Sequence, residues 1–246
     1  MIAGPVGGDA LYGRNAVAEA LSGRRRSVRL MVAEGIREDD RLRAILARAS
    51  EREVTIDRVP RLMLDDLTGG VNHQGLVLET KPYPYVELEE LFERQGTVLV
   101  LDHIQDPQNF GTLLRAAEAA GAAGVVIARD RAVGVTPAVV NASAGAVEHL
   151  LVAQETNLAR ALDRLIDAGW WAIGVDTGAD AVDLFTTDLP APVALVIGSE
   201  GSGLTPIVRK RCQVIVSLPM RGTVGSLNAA TAGAIVLFEL LRREQE

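Results

Sequence analysis

The sequence predicts an α/β protein: a parallel sheet covered by helices on both faces, preceded by a small α/β unit. Three observations lead there. After residue 96, short apolar runs alternate with stretches of helical spacing, the pattern of strands buried between two helix layers. Earlier, the segment KPYPYVELEEL sets Pro82 and Pro84 two residues apart, which favours an extended connector. The 246 residues are 48% hydrophobic and 23% charged, enough to bury one large core or two smaller ones.

Taken in order, residues 27–33 and 53–59 alternate like strands, and residues 39–52 carry Leu42, Ile45, Leu46 and Ala49 at helical spacing. A further strand, 74–80, is entered through Gly69, Gly70 and His73. These make a first domain, residues 1–80, joined by a linker at 81–95 to a second, residues 96–246. The second domain opens with a strand at 97–101 and a helix at 110–120, then a strand at 125–128 and a helix at 137–142. A helix at 158–168 leads to strands at 170–175, 193–197 and 214–218, and a last helix runs over 226–242.

Composition narrows the function classes. No run approaches the roughly 20 apolar residues of a membrane helix, and the start lacks a basic segment followed by an apolar one. Secretion and membrane insertion are therefore not expected, and a cytoplasmic location is. A net charge of −7 weighs against nonspecific coating of nucleic acid, which depends on neutralising many phosphates. The first 80 residues balance 12 arginines against 12 acids, so the excess negative charge all lies later. Arg24, Arg25, Arg26 and Arg29 form the densest basic run, suited to phosphate oxygens, although a solvated loop is the plainer reading. One cysteine, Cys212, and three scattered histidines leave no internal disulfide and no obvious metal site.

Ligands of such sheets collect in loops at the carboxyl ends of strands, and three of those loops are unusual. The first is LDHIQDPQNFGTLLRAAEAAG, residues 101–121, where Asn109 is placed to cap the helix. Phe110, Leu113, Leu114 and Ala117 share one face of that helix, and Arg115 projects roughly opposite, free for a ligand or for a surface pair with Glu118. The second is ALVIGSEGSGL, residues 194–204, whose Gly198, Gly201 and Gly203 do not match a dinucleotide or phosphate loop. Glu200 within it would repel a phosphate, so the loop suits a ligand bearing a cation or hydroxyls, or serves only as a tight turn. The third runs over residues 215–240, IVSLPMRGTVGSLNAATAGAIVLFEL. There Leu218, Met220 and Leu227 are candidates to wall a slot for a purine, with Ser226 and Asn228 at the helix start, where capping by Ser226 is the simpler role.

Together, NFGTLLR at 109–115, IGSEGSG at 197–203 and SLPM with GSLN at 217–228 closely resemble the three motifs of the SpoU or TrmH family of RNA ribose 2'-O-methyltransferases, within the SPOUT superfamily. The amino-terminal part, with NHQG at 72–75, looks like the RNA-binding domain of the subgroup that methylates a guanosine of 23S ribosomal RNA. The resemblance implies a deep trefoil knot, an exception to the rule against threaded chains, holding S-adenosylmethionine in a bent form. It assigns the cofactor to Gly198, Leu218 and Leu227, with Ile197, Met220 and Asn228 lining the same pocket. The family's polar catalytic positions map to Asn109, Arg115, Glu200, Ser226 and Asn228. One departure is visible: the family commonly continues SLNVS, whereas Ala229 and Ala230 follow Asn228 here.

Methyl transfer is an in-line displacement from an already activated sulfonium, so the enzyme must mainly align the 2'-oxygen and help remove its proton. Because a guanidinium resists deprotonation, Arg115 is expected to orient a phosphate that takes the proton rather than to act as the base. No metal is expected. Recognition should target an RNA loop or bulge, where the 2'-hydroxyl is exposed, and the Arg24–Arg29 run then becomes a phosphate contact. The resemblance also implies a homodimer. Methylation of transfer RNA or of another ribosomal site, and RNA binding without catalysis, are the rival readings. A chain beginning near Tyr85 is expected to keep the cofactor site, since all three clusters lie beyond it.

Overall fold

The computed structural model describes residues 8–223 and 225–245, which form two compact units. One comprises the chain as far as Pro84 together with Val135–His149, and the other Tyr85–Gly134 with the chain from Leu150 onward.

The first unit runs β1 (Asp9–Tyr12), α1 (Arg14–Ser22), β2 (Ser27–Ala33), α2 (Asp40–Glu51), β3 (Thr55–Val59), α3 (Arg61–Thr68) and β4 (Leu76–Thr80). Its sheet has the order β1-β4-β2-β3, with β4 antiparallel to both neighbours and β2 parallel to β3. Helix α2 forms because Asp39 caps it, its side chain accepting from the Leu42 amide at 2.9 Å, and because Leu42, Ile45 and Ala49 recur on one buried face. Buried His73 clasps the turn into β4. Its Nδ1 accepts from the Gly75 amide at 3.0 Å, which leaves Nε2 to donate to Asp65 at 3.0 Å.

The second unit runs β5 (Val98–Asp102), α4 (Pro107–Ala119) and β6 (Gly124–Ala128), crosses the first unit through α5 (Pro137–Ala142), then resumes with β7 (Val152–Glu155) and α6 (Leu158–Asp167). It ends with β8 (Trp171–Val175), β9 (Val182–Asp183), β10 (Val193–Gly198), α7 (Pro206–Arg209), β11 (Val214–Ser217) and α8 (Ala229–Glu244). All seven strands are parallel, in the order β7-β6-β5-β10-β8-β11-β9. Every residue of β5, β6 and β10 is buried, which is why these strands read as continuous apolar runs. Among the described residues no helix is long and apolar enough to cross a membrane.

Several expectations are corrected. The linker ends at Pro84: Val86, Leu88 and Leu91 are buried in the second unit's core, so residues 85–95 are packed chain rather than a free connector. Helix α5 and the turn that follows it belong to the first unit, where Val139, Val140, Val147 and Glu148 are buried. A chain starting near Tyr85 would strip that segment of its cover, so it is not a clean test of the second unit. Asp106, not Asn109, caps α4, and Asn109 sits in its first turn. Likewise Asn228, not Ser226, caps α8, which begins at Ala229.

Arg25 is also not a surface phosphate contact. Its side chain is fully buried, with Nη1 donating to Asp9 at 2.7 Å, Nη2 lying 3.1 Å from Glu148, and the guanidinium carbon 5.1 Å from the centre of the Tyr83 ring. Glu148 is equally buried, and that burial pushes its carboxyl above the usual range despite Arg25. Arg24 and Arg26 remain exposed, whereas Arg29 is half-buried and paired with Asp57 at 2.5 Å.

Candidate active site

The carboxyl ends of β8, β10 and β11 enclose a cavity of ≈ 440 Å³, within the roughly 300–1,000 Å³ typical of small-molecule sites. It is lined by Ile197, Gly198, Glu200, Leu218, Met220, Ser226, Leu227 and Asn228, so the second and third loops do converge. Asp176 and Thr177, which follow β8, line it too.

The glycine loop is fixed by close backbone approach. Gly203 donates its amide to the Ser199 carbonyl at 2.9 Å, and both Gly201 (φ 77°) and Gly203 (φ 63°) adopt the left-handed conformation. At Gly198 a Cβ would lie 2.2 Å from the Gly203 carbonyl carbon and 2.4 Å from the Leu204 amide nitrogen. The far end of the loop is tied to β5, where the Thr205 amide donates to buried Asp102 at 2.6 Å. The second oxygen of Asp102 lies 2.5 Å from Nδ1 of His103, a residue with φ 61° at the end of β5.

Asn228 joins the three loops. Its Oδ1 accepts from the Ala230 and Thr231 amides at 2.9 and 3.1 Å, which caps α8 and fixes the orientation of the side chain. Its Nδ2 therefore faces the site and donates to Oδ1 of Asn109 at 2.9 Å and to the Glu200 carboxylate. One amide thus holds a carboxamide from α4 and a carboxylate from the glycine loop. Asn109 does not line the cavity itself but is reached through this bond. Ala230 is buried at the start of α8, where Asn228 already supplies the cap, so the hydroxyl missing at this position is not needed to begin the helix.

Arg115 stands apart, on the exposed face of α4 and outside the cavity lining. The alternative role, a surface pair with Glu118, is not formed, and among the described residues Arg115 has no ion-pair or hydrogen-bond partner. Asp176 is the residue the sequence reading missed. Its carboxylate accepts from the Thr177 amide at 2.8 Å and from Nε of Arg209 at 3.1 Å. Burial pushes the thiol of nearby Cys212 up to about 12, which disfavours the nucleophilic thiolate. No cluster of three or more metal-ligating side chains occurs among the described residues.

Comparison with known proteins gives a consistent picture. Residues 96–238 match the SpoU rRNA Methylase family, and residues 10–86 match the RNA 2'-O ribose methyltransferase substrate-binding family. A Bacillus subtilis protein described as a TrmH family tRNA/rRNA methyltransferase, YacO, is 40% identical over 241 residues, covering 96% of each chain. Among solved structures, an AdoMet-bound rRNA methyltransferase from Sinorhizobium meliloti superposes with a TM-score of 0.81 at 26% identity, over 97% of this chain and 88% of its own. The SpoU methyltransferase AviRb from Streptomyces viridochromogenes, in complex with AdoMet, gives a TM-score of 0.81 at 25% identity, over 97% and 91%.

Proposed function

The chain belongs to the SpoU rRNA Methylase family, and from that premise we propose that it transfers a methyl group from S-adenosylmethionine to a ribose 2'-hydroxyl, that of a guanosine in 23S ribosomal RNA. The observation that carries this reading is the hydrogen-bonded set Asn109–Asn228–Glu200, of which Asn228 and Glu200 line a cavity edged by the glycine loop. The cavity fits the cofactor in size and chemistry: at Gly198 the absence of a side chain lets the glycine loop close backbone to backbone over β10, and Leu218, Met220 and Leu227 offer apolar walls for a purine. Glu200 adds the negative charge that suits a sulfonium ligand and repels a phosphate. Insertion of β10 between β5 and β8 supports the knotted path implied by the sequence motifs.

When bound, the cofactor supplies an activated methyl group, so the protein's task is alignment and proton removal. Asn228 is pre-oriented by its capping role, and Asn109 and Glu200 are fixed through it to receive the ribose. Arg115, charged and without a competing acid, holds a substrate phosphate that accepts the 2'-hydroxyl proton. The enzyme works as a homodimer. Support comes from Ile235 and Phe238, exposed one helical turn apart on α8, the helix that packs along α4. Among the predicted RNA contacts, Arg24 and Arg26 face solvent in the first unit, and Arg29 is reached only by releasing Asp57.

The reading is tested by incubating the protein with labelled S-adenosylmethionine and protein-free 23S, 16S or transfer RNA, then mapping the modified ribose. Label on a 23S guanosine is expected. Label confined to transfer RNA would overturn the ribosomal assignment, and no transfer to any RNA would overturn the enzyme. In the same assay Arg115→Ala should lower methyl transfer about a hundredfold, the scale of lost assistance to proton transfer, while S-adenosylhomocysteine still binds with wild-type affinity. Near-normal turnover would make Arg115 an ordinary surface residue.

A further inference from the structure

The order of the strands says what each loop around the cavity faces. At the carboxyl edge, β8 lies between β10 and β11. β10 ends at Gly198 and leads to Glu200, which is bonded to Asn228 at the reacting end, and beyond β11 stand Leu218 and Met220, the walls offered to a base. The residue that follows the middle strand is Asp176. A ligand whose base lies against Leu218 and whose reacting atom lies near Glu200 passes over this carboxylate with the part in between.

Asp176 is prepared for that contact. Arg209 fixes its orientation through Nε, while Nη1 and Nη2 of the same guanidinium donate to Asp180 at 2.9 and 2.6 Å. Asp180 thus shares the guanidinium with Asp176, which is held by a single bond from it. A carboxylate offers about four lone-pair sites, and the Thr177 amide and Arg209 use two. Space above it is kept open by Gly203, where a Cβ would stand 3.3 Å from Oδ1. In an adenosyl group the part between base and sulfonium is the ribose, whose adjacent 2'- and 3'-hydroxyls are two donors. An acid at a strand end beside a glycine loop takes that role in dinucleotide sites as well.

We propose that Asp176 receives the ribose hydroxyls of the adenosyl group and that Arg209, braced by Asp180, is its positioning residue. The assignment rests on the S-adenosylmethionine reading and goes beyond it. The test is calorimetric binding of two ligands to the full chain: S-adenosylhomocysteine, and 5'-methylthioadenosine, which keeps base and ribose but lacks the amino-acid arm. Asp176→Asn should weaken both by about tenfold or more, since each loses the same charged acceptor. Weakening of S-adenosylhomocysteine alone would mean that Asp176 reads the ligand's ammonium, and overturns the assignment. Unchanged binding of both would overturn it too. If Asp176→Asn fails to fold, Asp176→Glu keeps a negative charge opposite Arg209, displaces the acceptor by a methylene and carries the same expectation. A wild-type chain that binds neither ligand would overturn the cofactor reading itself.

Discussion

Gly198→Val is expected to abolish binding of S-adenosylhomocysteine, with no calorimetric signal at concentrations a hundredfold above the wild-type Kd. The reason is geometric. A Cβ at this position would sit 2.2–2.4 Å from three backbone atoms of Gly203 and Leu204, and backbone cannot swing aside as a flexible side chain would. The glycine loop must therefore move off β10, and its movement displaces Glu200 together with the bond from Asn228. At saturating ligand the wild type should also gain about 2.7 kcal/mol of stability at a hundred times Kd, and the variant none. Wild-type affinity in Gly198→Val would show that the loop does not carry the ligand.

The second large effect concerns stability. Arg25→Ala should destabilise the first unit by about 3–5 kcal/mol, because it leaves Glu148 buried and without its counter-charge. Urea titration followed by circular dichroism measures this. Neither Nη2 of Arg25 nor the Glu148 oxygens make an aligned hydrogen bond, so the pair is held by charge and by enclosure. For the same reason, replacing both partners, Arg25→Met with Glu148→Leu, should recover much of the loss. An Arg25→Ala midpoint equal to the wild type would show that the cluster contributes nothing to the fold.

The parts of the fold legible in the sequence were those whose burial is two-sided. Strands β5, β6 and β10 are apolar at nearly every position and could be read within a residue or two. Elements with weak local signals escaped: β1 and α1, whose helix starts at Gly13 with no side-chain cap, and the two-residue β9. At the start of α4 the Asp106-Pro107 pair is a stronger capping signal than Asn109, because proline suits the first helical position and aspartate the cap before it. Asn109 and Asn228 stand near helix starts for different reasons, and only the bond between them separates capping from site chemistry.

Arg25 could not be told from its neighbours, because its fate depends on Glu148, 123 positions along the chain. Asp176 left no motif at all. In DTGAD it reads as turn chemistry, and only its place at the end of a sheet strand marks it.

The crossing of Val135–His149 into the first unit sets when that unit can finish folding during synthesis. A ribosome completes β1 to β4 long before it makes the segment that supplies Val139, Val140, Val147 and Glu148. Until then Arg25 has Asp9 for company but lacks its second acid, and apolar surface that the finished unit covers stays open. Between the two lie β5, α4 and β6, the first two strands of the seven-stranded sheet and the helix that joins them. Domain-by-domain folding from the amino terminus is therefore interrupted here: the first unit can close its core only after the second has begun to emerge.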